Sequence, residues 1–113
     1  MGLIRGDIVI VSAPGDYGKP RPALVLQSNV FSATESVVVA LITSAQHPEA
    51  PLFRKAVVPC DGNGLRQASD VMIDKLVSLP RKKLSKAIGH LSSTEMASIT
   101  ASLALFLGME RAG

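Results

Sequence analysis

The chain has 113 residues, which is the size of one small domain, and we predict a single domain over residues 1–113. Hydrophobic residues make up 47% and charged residues 19%, so a packed core is expected and disorder is not. One cysteine excludes an internal disulfide and a cysteine-based zinc site, and two histidines are too few for an all-histidine site. We therefore expect neither a metal nor another cofactor.

The net charge of +3 is a mild basic bias, compatible with a polyanionic partner. Aromatic residues are only 4% of the chain, which argues against RNA binding by rows of stacked rings. The first residues lack the apolar stretch of a signal peptide, and no apolar run approaches the ~20 residues of a membrane span. These features predict a cytoplasmic protein without membrane association.

The first half of the chain predicts three strands separated by turn-rich segments. Apolar and β-branched runs predict strands at Ile8–Val11, Ala23–Gln27 and Ser36–Thr43, the last long enough to be buried on both faces. Residues 13–20 are dense in glycine and proline, and residues 44–51 are polar with two prolines. Both segments are predicted to be loops.

The second half predicts three more strands. They lie at Phe53–Val58, Ser69–Leu79 and Lys86–Leu91, with a turn over residues 61–64. The polar pair Asp74-Lys75 interrupts the alternation of the long strand and indicates a bulge or a change of sheet direction.

The C-terminal segment changes to a helical period. Ser92 and Glu95 have the spacing of a capping box, and Gly108 is a natural helix stop. One helix face is predicted to be apolar; it carries Met96, Ile99, Leu103 and Phe106. Short strands closed by one helix predict a mainly β domain, a strongly bent sheet or partial barrel.

Five landmarks follow one another along the chain. They are Arg5–Val9, the loop Pro14–Pro20 with Arg21–Leu26 after it, Val39–Ser44, Asn63–Leu65 ahead of Ser69–Leu76, and the capped helix. In this order and spacing the chain resembles the MazF/PemK family of bacterial toxin ribonucleases, which share an SH3-like barrel with the gyrase-poisoning CcdB toxins. The resemblance implies a small SH3-like, partly open barrel of short antiparallel strands with a C-terminal α-helix.

The resemblance also implies a function. The chain would be the toxin of a toxin-antitoxin system, an endoribonuclease that cleaves single-stranded RNA, often mRNA, through attack by the ribose 2′-OH and without a metal. Cleavage would inhibit translation and growth. The expected partners are RNA, a second copy of the chain in a homodimer, and a cognate antitoxin that blocks the RNA groove.

Three residues are the predicted catalytic set. Arg21 starts a strand after a loop, stays cationic and can hold two phosphate oxygens, and it matches the catalytic arginine of the family. Thr43 ends the strongest strand where the family has its catalytic threonine, although its hydroxyl could equally cap a backbone amide. Asp74 matches a carboxylate that serves as general base in some members. The alternatives for Asp74 are an ion pair with Lys75 or Arg66, or simple exposure at a bulge.

The chain departs from the subgroup that uses this carboxylate, because Met72 replaces a partner arginine and the loop before Arg21 lacks a histidine. An acid–base pair of that kind is therefore in doubt. The predicted RNA-binding residues are Tyr17, Lys19, Gln27, Ser44, Arg81 and Lys82, although a solvated surface explains such residues as well.

Two other functions are compatible with the barrel. A gyrase-trapping toxin needs a C-terminal tail that ends in an aromatic and an aliphatic residue. Residues Met109–Gly113 do not end in either type of residue. A regulator that binds RNA or protein without cutting remains open, since the histidine and the second arginine are missing.

Overall fold

The structure, a computed structural model, describes residues 2–12 and 19–109. Over these residues the chain forms six strands and one α-helix, with short 3₁₀ turns at Asn29–Phe31 and Arg81–Lys83. The strands are β1 (Asp7–Val11), β2 (Arg21–Val25), β3 (Ser36–Thr43), β4 (Arg54–Val57), β5 (Ser69–Pro80) and β6 (Gly89–His90), and the helix is α1 (Ser93–Phe106). No helix in these two ranges is both long enough and apolar enough to span a bilayer.

The strands form one antiparallel sheet in the order β4-β5-β3-β2-β1-β6. Strand β5 pairs with both β3 and β4, and its register against β3 shifts between Ala40, which faces Leu76, and Ile42, which faces Val71. Four β5 residues, 72–75, thus lie against a single β3 residue, and such an irregularity bends a strand. The predicted fold class, a partly open barrel with a C-terminal helix, is confirmed, and so is the irregularity at Asp74-Lys75.

Both faces of the central strands are covered. One hydrophobic cluster lies under α1, and the other lies on the opposite face of β1, β2 and β3. Along β1, Ile8 belongs to the first cluster, whereas Val9 and Val11 belong to the second, as the alternation of side chains in a strand requires. Burial from both sides explains why these strands consist mainly of Val, Ile, Leu and Ala.

Helix α1 begins at the predicted capping box. The Ser92 hydroxyl accepts from the Glu95 backbone N–H at 3.1 Å, and the Glu95 carboxylate accepts from the Ser92 N–H at 2.9 Å. Gly108, with φ of +71°, ends the helix as predicted. Phe106, on the predicted apolar face, is 49% exposed, since the buried positions of α1 are Ile99 and Ser102 and the last turn lies beyond them.

The boundaries of several strands differ from the predictions, most clearly in β2, β4 and β6. Strand β2 begins at Arg21, which pairs with Val11. Strand β6 is reduced to two residues, although the segment before it still follows β1. The hydroxyl of Ser85 accepts the Ile10 N–H at 2.9 Å and so occupies a donor that a backbone carbonyl would take in a regular ladder. Strand β4 is one residue shorter at each end than predicted.

The turn over residues 60–64 packs against β6 through a buried asparagine. The Asn63 side chain is 1% exposed and accepts from the N–H groups of Cys60 and Leu65, while its amide donates to the Val58 carbonyl. A Cβ on Gly89 would come within 2.6 Å of the Gly62 carbonyl oxygen and closer still to the Asn63 backbone. Only glycine permits this approach.

Replacing Gly89 by alanine should therefore lower the free energy of unfolding by about 1–3 kcal/mol, the usual cost of overpacking. Urea denaturation measures the change. Gly62→Ala is the matched control, because the nearest atom to its new methyl group would be the Cys60 sulfur, at 3.8 Å. Equal losses in the two variants would contradict the steric explanation.

Candidate active site

A cavity of about 730 Å³ opens where β2 begins and β3 ends. Its volume lies within the range of small-molecule pockets and exceeds what one phosphate group would fill. Segments from several parts of the chain line it, and the polar and charged lining residues are Lys19, Arg21, Thr43, Ser44, Arg66, Gln67 and Ser69.

Arg21 and Thr43 are brought together by the pairing of β2 with β3. Ala23 faces Leu41 in this ladder, and Arg21 and Thr43 lie two residues beyond that pair on their own strands. Both residues are half-buried and line the cavity. The structure thus places the two predicted catalytic residues at the same cavity, while their roles stay predictions.

The end of β3 is held by hydrogen bonds. The Thr43 hydroxyl oxygen accepts from the Ala45 N–H at 3.1 Å, which is the capping role considered from the sequence. The hydroxyl hydrogen remains a separate donor, so this contact leaves Thr43 able to donate into the cavity. Ser44 is exposed beside it.

Sequence reasoning missed Asp70, which faces Thr43 in the β3–β5 ladder. The carboxylate is 2% exposed and accepts from the His47 N–H at 2.7 Å and from the Gln46 amide at 3.4 Å. These contacts fix the loop that follows Ser44. The available signal was an acidic residue at the start of an apolar strand, where burial requires hydrogen-bond partners.

The cavity is cationic. Lys19, Arg21 and Arg66 line it, and within the described ranges its lining contains no carboxylate and no imidazole. Three cationic side chains on one wall favour an anionic ligand, such as a phosphodiester. Arg66 and Gln67 were not among the predicted site residues.

Asp74 is not among the residues that line this cavity. Its carboxylate binds the Arg54 guanidinium through two hydrogen bonds of 2.8 and 3.0 Å, with side-chain exposures of 23% and 13%. The hydrogen bonds from Arg54 hold the pKa of Asp74 below its ordinary value, although desolvation acts against them, and the same pair raises the pKa of Arg54. Arg54 faces Met72 across β4 and β5, so Asp74 is its diagonal neighbour. The ion pair considered from the sequence thus forms, but neither Lys75 nor Arg66 is the partner.

The predicted RNA-binding residues do not share one location. Lys19 and Ser44 line the cavity. Gln27 and Arg81 lie near the opposite ends of β2 and β3, where the Gln27 amide donates to the Phe31 carbonyl at 2.9 Å and Arg81 donates to the Thr34 carbonyl at 2.8 Å. These contacts hold the connection between β2 and β3.

The remaining predicted residues lie elsewhere. Lys82 is exposed in a 3₁₀ turn, and Tyr17 lies outside the described residues. Across residues 2–12 and 19–109, the structure contains no cluster of three or more His, Cys, Asp or Glu side chains arranged to hold a metal ion.

Both the family comparison and the sequence comparison match this chain over most of its length. Residues 4–107 match the family described as "PemK-like, MazF-like toxin of type II toxin-antitoxin system". The chain is 42% identical over 106 residues to a Mycolicibacterium smegmatis protein named "Probable endoribonuclease MazF", and the match covers 93% of this chain and 96% of that protein.

Two solved structures have the same fold. The Mycobacterium tuberculosis toxin MazF-mt6 superposes with a TM-score of 0.77 at 25% identity, covering 93% of this chain and 99% of that one. A mycobacterial endoribonuclease in complex with its cognate antitoxin superposes with a TM-score of 0.79 at 22% identity, covering 97% and 99%. Because the family match extends from β1 to the end of α1, this chain belongs to the PemK-like, MazF-like toxins of type II toxin-antitoxin systems.

Proposed function

We propose that this toxin is an endoribonuclease that cuts single-stranded RNA, chiefly mRNA, in the cavity at the ends of β2 and β3, and so inhibits translation in the cytoplasm. The observation that carries the proposal is the placement of Arg21 beside Thr43 in a cavity lined by three cations. The name of the M. smegmatis relative supports the same activity.

The proposed reaction is an internal transfer at one phosphodiester. The ribose 2′-oxygen forms a bond to phosphorus and loses its proton, the bond from phosphorus to the 5′-oxygen breaks, and that oxygen gains a proton. The products are a 2′,3′-cyclic phosphate and a 5′-hydroxyl. Because the nucleophile belongs to the substrate, holding it in line with the leaving oxygen supplies much of the acceleration.

Arg21 and Thr43 have separate tasks in this reaction. The guanidinium of Arg21 holds two phosphate oxygens and offsets the negative charge that develops on them. The hydroxyl of Thr43 donates to a non-bridging oxygen. Neither task requires a metal ion.

Asp74 is poorly placed to accept the 2′ proton. Asp74 is ionised at neutral pH but is bound to Arg54, so its oxygens are already engaged. We infer that water accepts the 2′ proton and that a second water donates a proton to the leaving 5′-oxygen, while positioning and charge stabilisation by Arg21 carry most of the rate. Asp74 as the general base is the competing assignment.

The proposed protein partners are a second copy of the chain and a cognate antitoxin. The last turn of α1 and the residues after it expose Leu105, Phe106, Leu107 and Met109, an apolar area that suits a protein contact. A cationic cavity suits an acidic antitoxin segment. The mycobacterial endoribonuclease with the same fold was solved with its antitoxin.

The purified protein should cut a long single-stranded RNA in the presence of EDTA and leave 2′,3′-cyclic phosphate ends, because every proposed group belongs to the chain or to the RNA. Denaturing gels and end-group analysis measure this outcome. Intact RNA, with circular dichroism showing a folded protein, would favour the second candidate function, a binding module without activity.

Arg21→Ala should lower the cleavage rate at saturating RNA by at least ~100-fold, which is the effect of losing one charge-stabilising donor. Arg21→Lys keeps the charge but cannot bind two phosphate oxygens in the bidentate geometry of arginine. Its cleavage rate should therefore lie between those of wild type and Arg21→Ala. Thermal unfolding shows whether each variant is folded. A near-wild-type rate in folded Arg21→Ala would remove this residue from the mechanism.

Asp74→Asn should lower the free energy of unfolding at pH 7 by about 2 kcal/mol, because it leaves a poorly exposed guanidinium without its charged partner. A carboxylate with a lowered pKa stabilises the fold above its unfolded pKa, and this stabilisation is lost as the pH falls through the folded pKa. The difference in free energy of unfolding between wild type and Asp74→Asn should therefore shrink below about pH 4.

Urea denaturation across this pH range measures the effect, and Asp61→Asn, in an exposed turn, is the matched control for the loss of a carboxylate. Cleavage at neutral pH should fall far less in folded Asp74→Asn than in Arg21→Ala. An equal fall would assign the general base to Asp74.

A further inference from the structure

We propose that Arg66 holds a second backbone phosphate of the RNA, next to the phosphate that is cut at Arg21. The inference rests on the proposed ribonuclease function and extends it to a positioning residue. It follows from the location of Arg66, from the anchoring of its backbone, and from the absence of a partner for its side chain among residues 2–12 and 19–109.

Arg66 reaches the cavity from a part of the chain unrelated to the strands that carry Arg21 and Thr43. It lies in the connection between β4 and β5, and it lines the cavity together with Gln67. Cations on two separate elements of one cavity can contact two points along the same strand. Contacts of this kind fix the register of a nucleic acid without reading its sequence.

The backbone that leads to Arg66 is anchored. The buried side chain of Asn63 accepts the Leu65 N–H at 3.0 Å, and the Gly62 carbonyl accepts the His90 N–H at 2.9 Å. Gly89 packs against the backbone of the same turn. A residue that follows such a turn presents its side chain from a fixed point, which lowers the entropy lost when a ligand binds.

The side chain of Arg66 is exposed and makes no hydrogen bond or ion pair with any residue in the described ranges. Other arginines are engaged. Arg5 donates to the Leu26 carbonyl and to the Thr100 hydroxyl, Arg54 binds Asp74, and Arg81 binds Thr34. These three therefore have structural roles, whereas Arg66 keeps its donors available at the wall of a cationic cavity.

Binding of two adjacent phosphates would restrict the geometry of the reacting nucleotide. A phosphate held by Arg66 and the adjacent one held by Arg21 would restrain the nucleotide between them. This restraint limits the rotations that carry the 2′-oxygen out of line with the leaving oxygen. Arg66 is thus a positioning residue, and it acts on RNA that extends beyond the cut linkage.

The first test measures binding of an RNA with 2′-deoxyribose at the cut site, which cannot react. Arg66→Ala should weaken binding about tenfold, as expected for one charge-assisted contact. The slope of log affinity against log salt should also become less steep by about 0.7, the value for one phosphate of a single strand. Lys75→Ala, which removes an exposed cation that does not line the cavity, should leave the slope unchanged.

The second test pairs the variant with substrates in which one linkage near the cut site is a neutral methylphosphonate. At the contacted linkage, neutralisation should slow wild-type cleavage about tenfold and leave Arg66→Ala unaffected. Arg66→Lys should restore much of the dependence on the charged linkage, because a point charge still attracts phosphate. If Arg66 had only a structural role, Arg66→Ala would change neither the salt slope of binding nor the dependence of cleavage on the charge of that linkage.

The outcomes separate the two proposals. The role of Arg66 is overturned if wild type cuts RNA, wild type and Arg66→Ala have equal salt slopes, and the effects of Arg66→Ala and of every neutral linkage on the cleavage rate are additive. The ribonuclease assignment would still stand. Wild-type protein that neither cuts nor binds RNA overturns the proposed function, and the role of Arg66 with it.

Discussion

The antiparallel pairing of β2 with β3 is the constraint on which the site depends. It brings the first residue of β2, Arg21, and the last residue of β3, Thr43, to the same end of the sheet. Both strands are buried on two sides, so neither can slip by one residue without turning its apolar side chains to the wrong face. The hydrophobic core thus fixes the backbone positions from which the Arg21 and Thr43 side chains extend.

Carboxylates near the cavity are committed to structural contacts. Asp70 is buried under the loop after β3, where it accepts from the backbone of His47, and Asp74 is bound by Arg54. The Arg54 guanidinium offsets the charge of Asp74, and the Asp70 carboxylate is engaged by the loop after β3. Within the described ranges the cavity is lined by three cations and no carboxylate, although the chain carries only a small net charge, and this distribution favours binding of an anionic strand.

Patterns within short segments predicted the elements of the fold well. The capping box at Ser92 and Glu95 and the irregularity at Asp74-Lys75 depend on neighbours a few residues away, and both are present. Helical periodicity describes a face of the helix but not where the core beneath it ends, which is why the exposure of Phe106 did not follow from the sequence. The partner of Asp74 was misassigned for a related reason. Arg54 is 20 residues away and becomes its neighbour only through the β4–β5 register.

The sequence by itself determined the small β-rich domain, the capped helix, the family resemblance and the candidacy of Arg21 and Thr43, because these follow from composition, local period and the order of landmarks. Only the tertiary structure decided which polar side chains share a cavity. It placed Arg66 and Gln67 there and directed Gln27 and Arg81 to structural contacts. The physical reason is that a cavity is assembled from segments distant in sequence, whose proximity is set by strand register and by how strongly the sheet bends.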